Sequence, residues 1–164
     1  MRYAGLVLLL ISSLLAGLEL ASRAKRSLLE TEAVIALLAD IRRSVFSFEN
    51  LQEIFFRASE SERFSRLSFL PVMAKHLKNQ PPDKAMAQAL KEAPVLEKGV
   101  QNVLLQLGEF LGRETADRTA ERLEQLAEET GQLQKKLEKK AEESRRLYPT
   151  LSFLFGSLVV ILLI

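Results

Sequence analysis

The sequence predicts an all-α fold, a six-helix soluble bundle flanked by a transmembrane helix at each end, and three observations support this prediction. Apolar residues recur at spacings of three and four along most of the chain, without the strict alternation of a strand. Leu, Ala, Glu, Lys and Arg are abundant, and Trp and Cys are absent, which is a composition typical of helices. Each end of the sequence carries a long apolar stretch.

The first predicted element is a transmembrane helix within residues 1–22. The stretch 3–21 contains a single charged residue, and ~20 largely apolar residues suffice for a helix to cross ~30 Å of hydrocarbon. A cleaved signal peptide is the alternative, but the stretch exceeds the ~7–15 apolar residues of a signal-peptide core. Ser13, Gly17 and Ala21 stand four residues apart, so this row of small residues is a candidate contact for another transmembrane helix.

Six amphipathic helices are predicted over residues 23–146, between the apolar ends. Turn signals separate them, and each has its apolar residues at helical spacing. The apolar residues that define the six helices in order are Leu28, Val34, Leu37, Leu38, Ile41 and Val45; Leu51, Ile54 and Phe55; Leu67, Leu70, Met73, Ala74 and Leu77; Ala85, Ala87, Ala89 and Leu90; Val100, Val103, Leu104, Leu107 and Leu111; and Thr119, Leu123, Leu126, Thr130, Leu133 and Leu137.

The sixth helix has a heptad-like seam and is expected to run without a loop into the last segment. Fewer than ~4 clean heptads favour packing within the domain over a coiled coil between chains, although self-association through this helix stays open. The last element is a second transmembrane helix over 147–164, an uncharged stretch near the lower length limit. A buried core helix is the alternative, yet this stretch has no polar face.

Basic residues close to the two apolar segments predict the orientation. Only Arg2 lies outside the two segments, so the positive-inside tendency places the middle domain in the cytoplasm and both chain ends on the other side of the membrane. The basic residues on the inner side are Arg23, Lys25, Arg26, Lys135, Lys136, Lys139, Lys140, Arg145 and Arg146.

Composition and motifs point away from an enzyme and from a nucleic-acid binder. The 23 Lys and Arg residues nearly balance 21 Asp and Glu residues. The chain therefore lacks the strongly positive electrostatic field with which a protein binds nucleic-acid phosphates. A chain with one His and no Cys offers few metal ligands, and no phosphate loop or nucleophile elbow occurs. We therefore expect no catalytic, cofactor-binding or metal-binding residues. His76 is expected to be a solvated or interfacial side chain, and a membrane-bound hydrolase is kept as an alternative.

The least ordinary local feature is a pair of glycines, Gly108 and Gly112, within the fifth predicted helix. Each glycine lowers helix stability, so some contact must require the missing side chain. Close approach of a neighbouring helix in the same domain is one explanation, and a groove for a partner is the other. Leu107, Gly108, Leu111 and Gly112 are therefore the candidate helix-contact or partner-binding residues.

The layout of the chain resembles the stage III sporulation protein AB family of endospore-forming bacteria. The resemblance covers essentially the whole chain, and Leu107, Gly108, Leu111 and Gly112 stand where that family has its L-G-x-x-L-G motif. The stretch 113–117 departs from the acidic and Gln-containing pattern that follows the motif in the family.

The resemblance implies a domain similar to the cytoplasmic helical domains of F-type inner-membrane platform proteins from type II secretion and type IV pilus machines. It also implies a place in the apparatus that connects mother cell and forespore, in the mother-cell membrane around the forespore. The implied partners are other membrane subunits of that channel, a cytoplasmic secretion-ATPase-like protein and the lipid bilayer. A membrane-anchored helical scaffold outside sporulation is the alternative.

Overall fold

The computed structural model describes residues 2–47, 50–95 and 97–163. This part of the chain contains six α-helices, one short 3-10 helix and no strand, which confirms the all-α prediction. The α-helices are α1 (Arg2–Phe46), α2 (Leu51–Glu60), α3 (Phe69–His76), α4 (Pro82–Glu92), α5 (Lys98–Phe110) and α6 (Ala116–Leu163), and the 3-10 helix is Glu62–Phe64.

The helix predicted at the start of the chain is not a separate element, whereas the one predicted at its end continues from the sixth helix as expected. The first is continuous with α1, a single helix of 45 residues, and the second is continuous with α6, a single helix of 48 residues. No turn signal stands between residues 22 and 28, so nothing in the local sequence ends the first helix there. α6 also continues through Pro149, where the missing backbone donor costs a helix interior ~3 kcal/mol.

Over the residues that the structure describes, no helix combines the length and the apolar character that crossing a bilayer requires. The spans predicted over 1–22 and 147–164 therefore gain no support from the structure and remain predictions. Met1 and Ile164, and several side chains within these two segments, lie outside the described part of the chain.

The chain divides into two compact units. The bundle unit is Leu29–Lys135, and the helix-pair unit combines Met1–Leu28 with Lys136–Ile164. Helices α2 to α5 lie wholly within the bundle unit, whereas α1 and α6 supply residues to both units. The helix-pair unit therefore consists of one segment from each of the two long helices.

The core of the bundle unit is built mainly from the apolar residues that the sequence predicts. Consecutive helices contact each other, α2 with α3, α3 with α4 and α4 with α5. Ala87 is exposed, whereas its neighbour Met86 is fully buried. Phe55 and Phe69 are also fully buried, and such a side chain contributes ~1.5–3 kcal/mol when it leaves water. The predicted residues that are buried in this core are Val34, Leu37, Leu38, Ile41, Ile54, Phe55, Leu67, Leu70, Met73, Ala74, Leu77, Ala85, Ala89, Leu90, Val100, Val103, Leu104, Leu107, Leu111, Leu123 and Leu126.

Local signals set the helix ends in the bundle unit. Asn50 precedes α2, and its side-chain oxygen accepts a hydrogen bond from the backbone N–H of Gln52 at 3.1 Å. Pro82 is the first residue of α4. A backbone N–H at this position would have no hydrogen-bond acceptor within the helix, so proline is tolerated there. Gly112 follows the last residues of α5 with a φ of 77°, a conformation that glycine adopts readily and that ends helices. Pro82 and Gly112 thus mark where α4 begins and where α5 ends.

Candidate functional site

The first predicted candidate residues, Leu107, Gly108 and Leu111, are buried in the bundle unit. A Cβ atom added at Gly108 would lie 2.8 Å from the Cβ of Met86 and 3.2 Å from the carbonyl oxygen of Pro82. Both atoms belong to α4, and one of them is backbone that has little freedom to move. Gly108 thus lets α4 and α5 approach more closely than any residue with a side chain would allow.

The fourth residue of the motif, Gly112, is exposed and lies at the end of α5. Its positive φ disfavours a larger residue, and a Cβ atom added there would lie 3.1 Å from Cδ1 of Leu51. The motif residues therefore make contacts within the bundle unit. Partner binding by these four residues stays a prediction, and Gly112 is the one that faces solvent.

The turn after the motif is held by two ion pairs. The Nη2 atom of Arg113 lies 2.8 Å from Oδ2 of Asp83, a residue in the first turn of α4 where the helix dipole favours an acid. The Nη2 atom of Arg122 lies 3.2 Å from Oε1 of Glu114, and its guanidinium carbon lies 5.5 Å from the centre of the Phe110 ring. The stretch that departs from the family pattern thus contacts α4 and α6.

A groove between α1 and α6 in the bundle unit is a candidate site that the sequence does not predict. Its volume is about 680 Å³. The residues that line it are Leu38, Ala39, Arg42, Arg43, Leu123, Glu124, Ala127 and Glu128. One wall is basic and the other acidic, and the Nη2 atom of Arg42 lies 3.0 Å from Oε2 of Glu124. Ala39 and Ala127 contribute small side chains to the lining, and these alanines are a signal in the sequence that is compatible with a groove.

The row of small residues predicted for helix packing lies on the helix-pair unit. Gly17 is buried, whereas the side chains of Ser13 and Ala21 lie outside the described residues. Packing of another transmembrane helix against this row therefore stays a prediction.

Most of the large apolar side chains that the structure describes in the helix-pair unit are exposed, and three of its four buried positions are small or polar. Among its described side chains, the buried positions are Gly17, Ser27, Leu137 and Ser144. Eight exposed leucine and isoleucine side chains, here called the leucine stripe, lie on its two helices. They are Ile11, Leu15, Leu18, Leu20, Leu147, Leu151, Leu154 and Leu158. This arrangement is the reverse of a water-soluble helix pair, which buries its leucines.

His76 lies at the end of α3, where its Nε2 atom is 3.1 Å from Oε1 of Glu92. Gln88 donates a second hydrogen bond to the same carboxylate oxygen at 2.8 Å. These two hydrogen bonds hold the pKa of Glu92 below its ordinary value, and the one from Gln88 has the larger effect. A hydrogen-bonded surface pair of this kind stabilises the contact between α3 and α4. Within the described residues, no group of His, Cys, Asp and Glu side chains is arranged to hold a metal ion.

One protein family matches the chain over nearly its full length. The family model described as stage III sporulation protein AB matches residues 2–164. No curated protein and no solved structure matches. The family match confirms the resemblance that the sequence layout and the L-G-x-x-L-G motif indicate.

Proposed function

Because the chain belongs to the stage III sporulation protein AB family, we propose that it is a non-enzymatic platform component of the channel between mother cell and forespore. The family gives it a role related to sporulation. In this proposal, the helix-pair unit attaches the protein to the mother-cell membrane around the forespore, and the bundle unit binds a secretion-ATPase-like partner in the cytoplasm. The match also favours this role over a scaffold outside sporulation.

The leucine stripe is the observation that carries the proposal. Eight large apolar side chains, each about half exposed on two short helical segments, would be unfavourable in water, because each forgoes part of the ~1.5–3 kcal/mol that full burial contributes. Helices in a bilayer expose leucine to lipid and pack through small residues such as Gly17 and Ser144. The apolar segments 3–21 and 147–164 are therefore proposed to enter the membrane.

The bundle unit is proposed to face the cytoplasm, because basic residues follow the first apolar segment and precede the second. We assign the contact with the ATPase-like partner to the groove between α1 and α6. Its more accessible apolar residues, Ala39 and Ala127, lie between a basic and an acidic wall, which suits an amphipathic helix with charges on both flanks. Other membrane subunits would then pack against the helix-pair unit, with Ser13 and Ala21 of the predicted row as the proposed contact, since Gly17 is already buried within the chain.

The first test measures partner binding by the full chain. The detergent-solubilised protein is used to capture the ATPase-like protein, and Ala39→Phe fills the groove, whereas Ala87→Phe places the same side chain on the exposed face of α4. We expect Ala39→Phe to abolish capture and Ala87→Phe to retain it. Equal capture by both variants would remove the groove from the proposal, and no capture by the unaltered chain would remove this partner.

The second test measures the role in the cell. Deletion of the gene is expected to reduce the yield of heat-resistant spores, and a copy carrying Ala87→Phe is expected to restore it. Normal sporulation after deletion would contradict the platform role. Extraction of the membrane fraction with alkaline carbonate separates an inserted protein from a peripheral one, and release of the chain under these conditions would contradict insertion of the two apolar segments.

A further inference from the structure

Basic side chains adjoin the leucine stripe on both segments of the helix-pair unit. On α1 they follow the stripe directly, and on α6 they precede it, so on each helix they lie between the stripe and the residues of the bundle unit. All are exposed. This basic belt consists of Arg23, Lys25, Arg26, Lys139, Lys140 and Arg146.

The two units carry opposite net charges. The helix-pair unit contains nine Lys and Arg residues and four Asp and Glu residues, a net charge of +5. The bundle unit contains fourteen basic and seventeen acidic residues, a net charge of −3. A negatively charged surface therefore attracts the unit that carries the leucine stripe and repels the other unit.

Acidic residues in the helix-pair unit offset only part of its positive charge. Glu19 stands beside the α1 part of the belt, and Glu138, Glu142 and Glu143 stand among the basic residues of α6. The three basic residues of the belt on α1, Arg23, Lys25 and Arg26, have no acidic residue between them. The α1 part of the belt is therefore the more strongly basic of the two.

We propose that the basic belt binds the headgroups of anionic phospholipids while the leucine stripe contacts their acyl chains. This inference rests on the proposed membrane attachment and adds a lipid class to it. Exposed Lys and Arg next to an apolar surface match the order of layers in an anionic bilayer, where the negatively charged headgroups border the hydrocarbon. Attraction of this kind decays over a Debye length of ~10 Å at ~0.1 M salt, so the belt must lie close to the headgroups.

The test is vesicle flotation with the purified full chain, transferred from detergent. One set of vesicles contains phosphatidylcholine alone, and the other contains added phosphatidylglycerol. The belt variant carries Arg23→Gln, Lys25→Gln and Arg26→Gln. The matched control removes three exposed charges from the bundle unit through Lys78→Gln, Lys84→Gln and Lys91→Gln.

We expect the unaltered chain and the control to prefer the anionic vesicles, with a preference that falls as salt is added. The belt variant should lose at least ~10-fold of that preference, because each basic side chain near an anionic surface contributes to binding. A variant with Arg23→Lys and Arg26→Lys should keep the preference, since charge rather than guanidinium geometry is required.

Each other outcome has a distinct meaning. Equal binding to both kinds of vesicle would overturn the anionic-lipid site and leave membrane attachment standing, whereas binding to neither would overturn the proposed attachment itself. Equal losses in the belt variant and the control would show a general charge effect and overturn the belt. A belt variant that binds vesicles normally but fails to assemble with other membrane subunits would assign the belt to a protein partner instead.

Discussion

The bundle unit and the helix-pair unit place the same residue type in opposite environments. In the bundle unit, leucines at 37, 70, 104 and 107 are fully buried, and charged residues cover the surface. In the helix-pair unit, the leucines of the stripe are exposed and Gly17 and Ser144 are buried. This difference is what the proposed membrane attachment expects of a chain in two solvents, because a leucine-rich helix surface is favoured where it meets lipid rather than water.

Two matched leucine substitutions, one in each unit, should differ most in their effect on stability. Leu104→Ala removes a fully buried side chain and should lower the free energy of unfolding by ~2–5 kcal/mol. Leu18→Ala removes an exposed one from the leucine stripe and should change it by no more than ~0.5 kcal/mol. Denaturant titrations of the full chain in detergent measure both. Equal losses would show that the helix-pair unit has a leucine core after all.

Two glycine substitutions give the next effect and test close packing in the bundle unit. Gly108→Ala forces a Cβ to 2.8 Å from Met86 and should cost ~1–3 kcal/mol. Gly131→Ala adds a Cβ with nothing within 4 Å and should stabilise α6 by ~1 kcal/mol. Thermal unfolding should show a lower melting temperature for Gly108→Ala and a higher one for Gly131→Ala. Stabilisation by Gly108→Ala would contradict the close contact of α4 with α5.

A smaller effect is expected from the ion pair across the groove, because both of its side chains are exposed. Both Arg42 and Glu124 are about half exposed, at 45% and 57%, so their coupling energy should be ~0.2–1 kcal/mol and should fall as salt is added. A double-mutant cycle with Arg42→Gln and Glu124→Gln measures it. A large coupling that is insensitive to salt would mean that the groove is shielded from water.

The smallest effect is a pH dependence from Glu92. Because its pKa in the folded chain lies below the ordinary value of 4.5, this carboxylate stabilises the fold above pH 4.5. That contribution is lost as the pH falls through the lowered pKa. Glu92→Gln should therefore flatten the acid limb of the stability curve and leave the neutral region nearly unchanged, as measured by unfolding at a series of pH values. An unchanged acid limb would contradict the hydrogen bonds from Gln88 and His76.

Local periodicity predicts what each bundle helix buries, but it does not predict long-range packing. The spacing of Val100, Val103 and Leu104 marks the buried face of α5 because helical geometry alone places them together. The groove between α1 and α6 depends on residues such as Arg42 and Glu124, which are 82 positions apart in the sequence. No local pattern reports which helices meet over that distance.

The helix-pair unit shows a second limit of sequence reasoning. The apolar character of segments 3–21 and 147–164 is visible in the sequence, yet most of their positions are apolar on every side. Periodicity therefore cannot separate the buried face from the exposed one, and the burial of Gly17 is information that comes from packing. The continuity of α1 from Arg2 to Phe46 differs from the predicted separate helices for a related reason, because an expected change of solvent does not itself end a helix.

Cysteine labelling in intact membranes tests directly whether the helix-pair unit and the bundle unit lie in different solvents. The chain contains no cysteine of its own, so single cysteines can be introduced and labelled. Single variants Leu15→Cys and Leu154→Cys replace side chains that are 60% and 58% exposed on the helix-pair unit, and Phe56→Cys replaces one that is 51% exposed on the bundle unit. A water-soluble maleimide should label Phe56→Cys rapidly once it is admitted to the cytoplasmic side. If the helix-pair unit lies in the membrane, Leu15→Cys and Leu154→Cys should stay unlabelled until detergent is added, and labelling of all three at the same rate would contradict that placement.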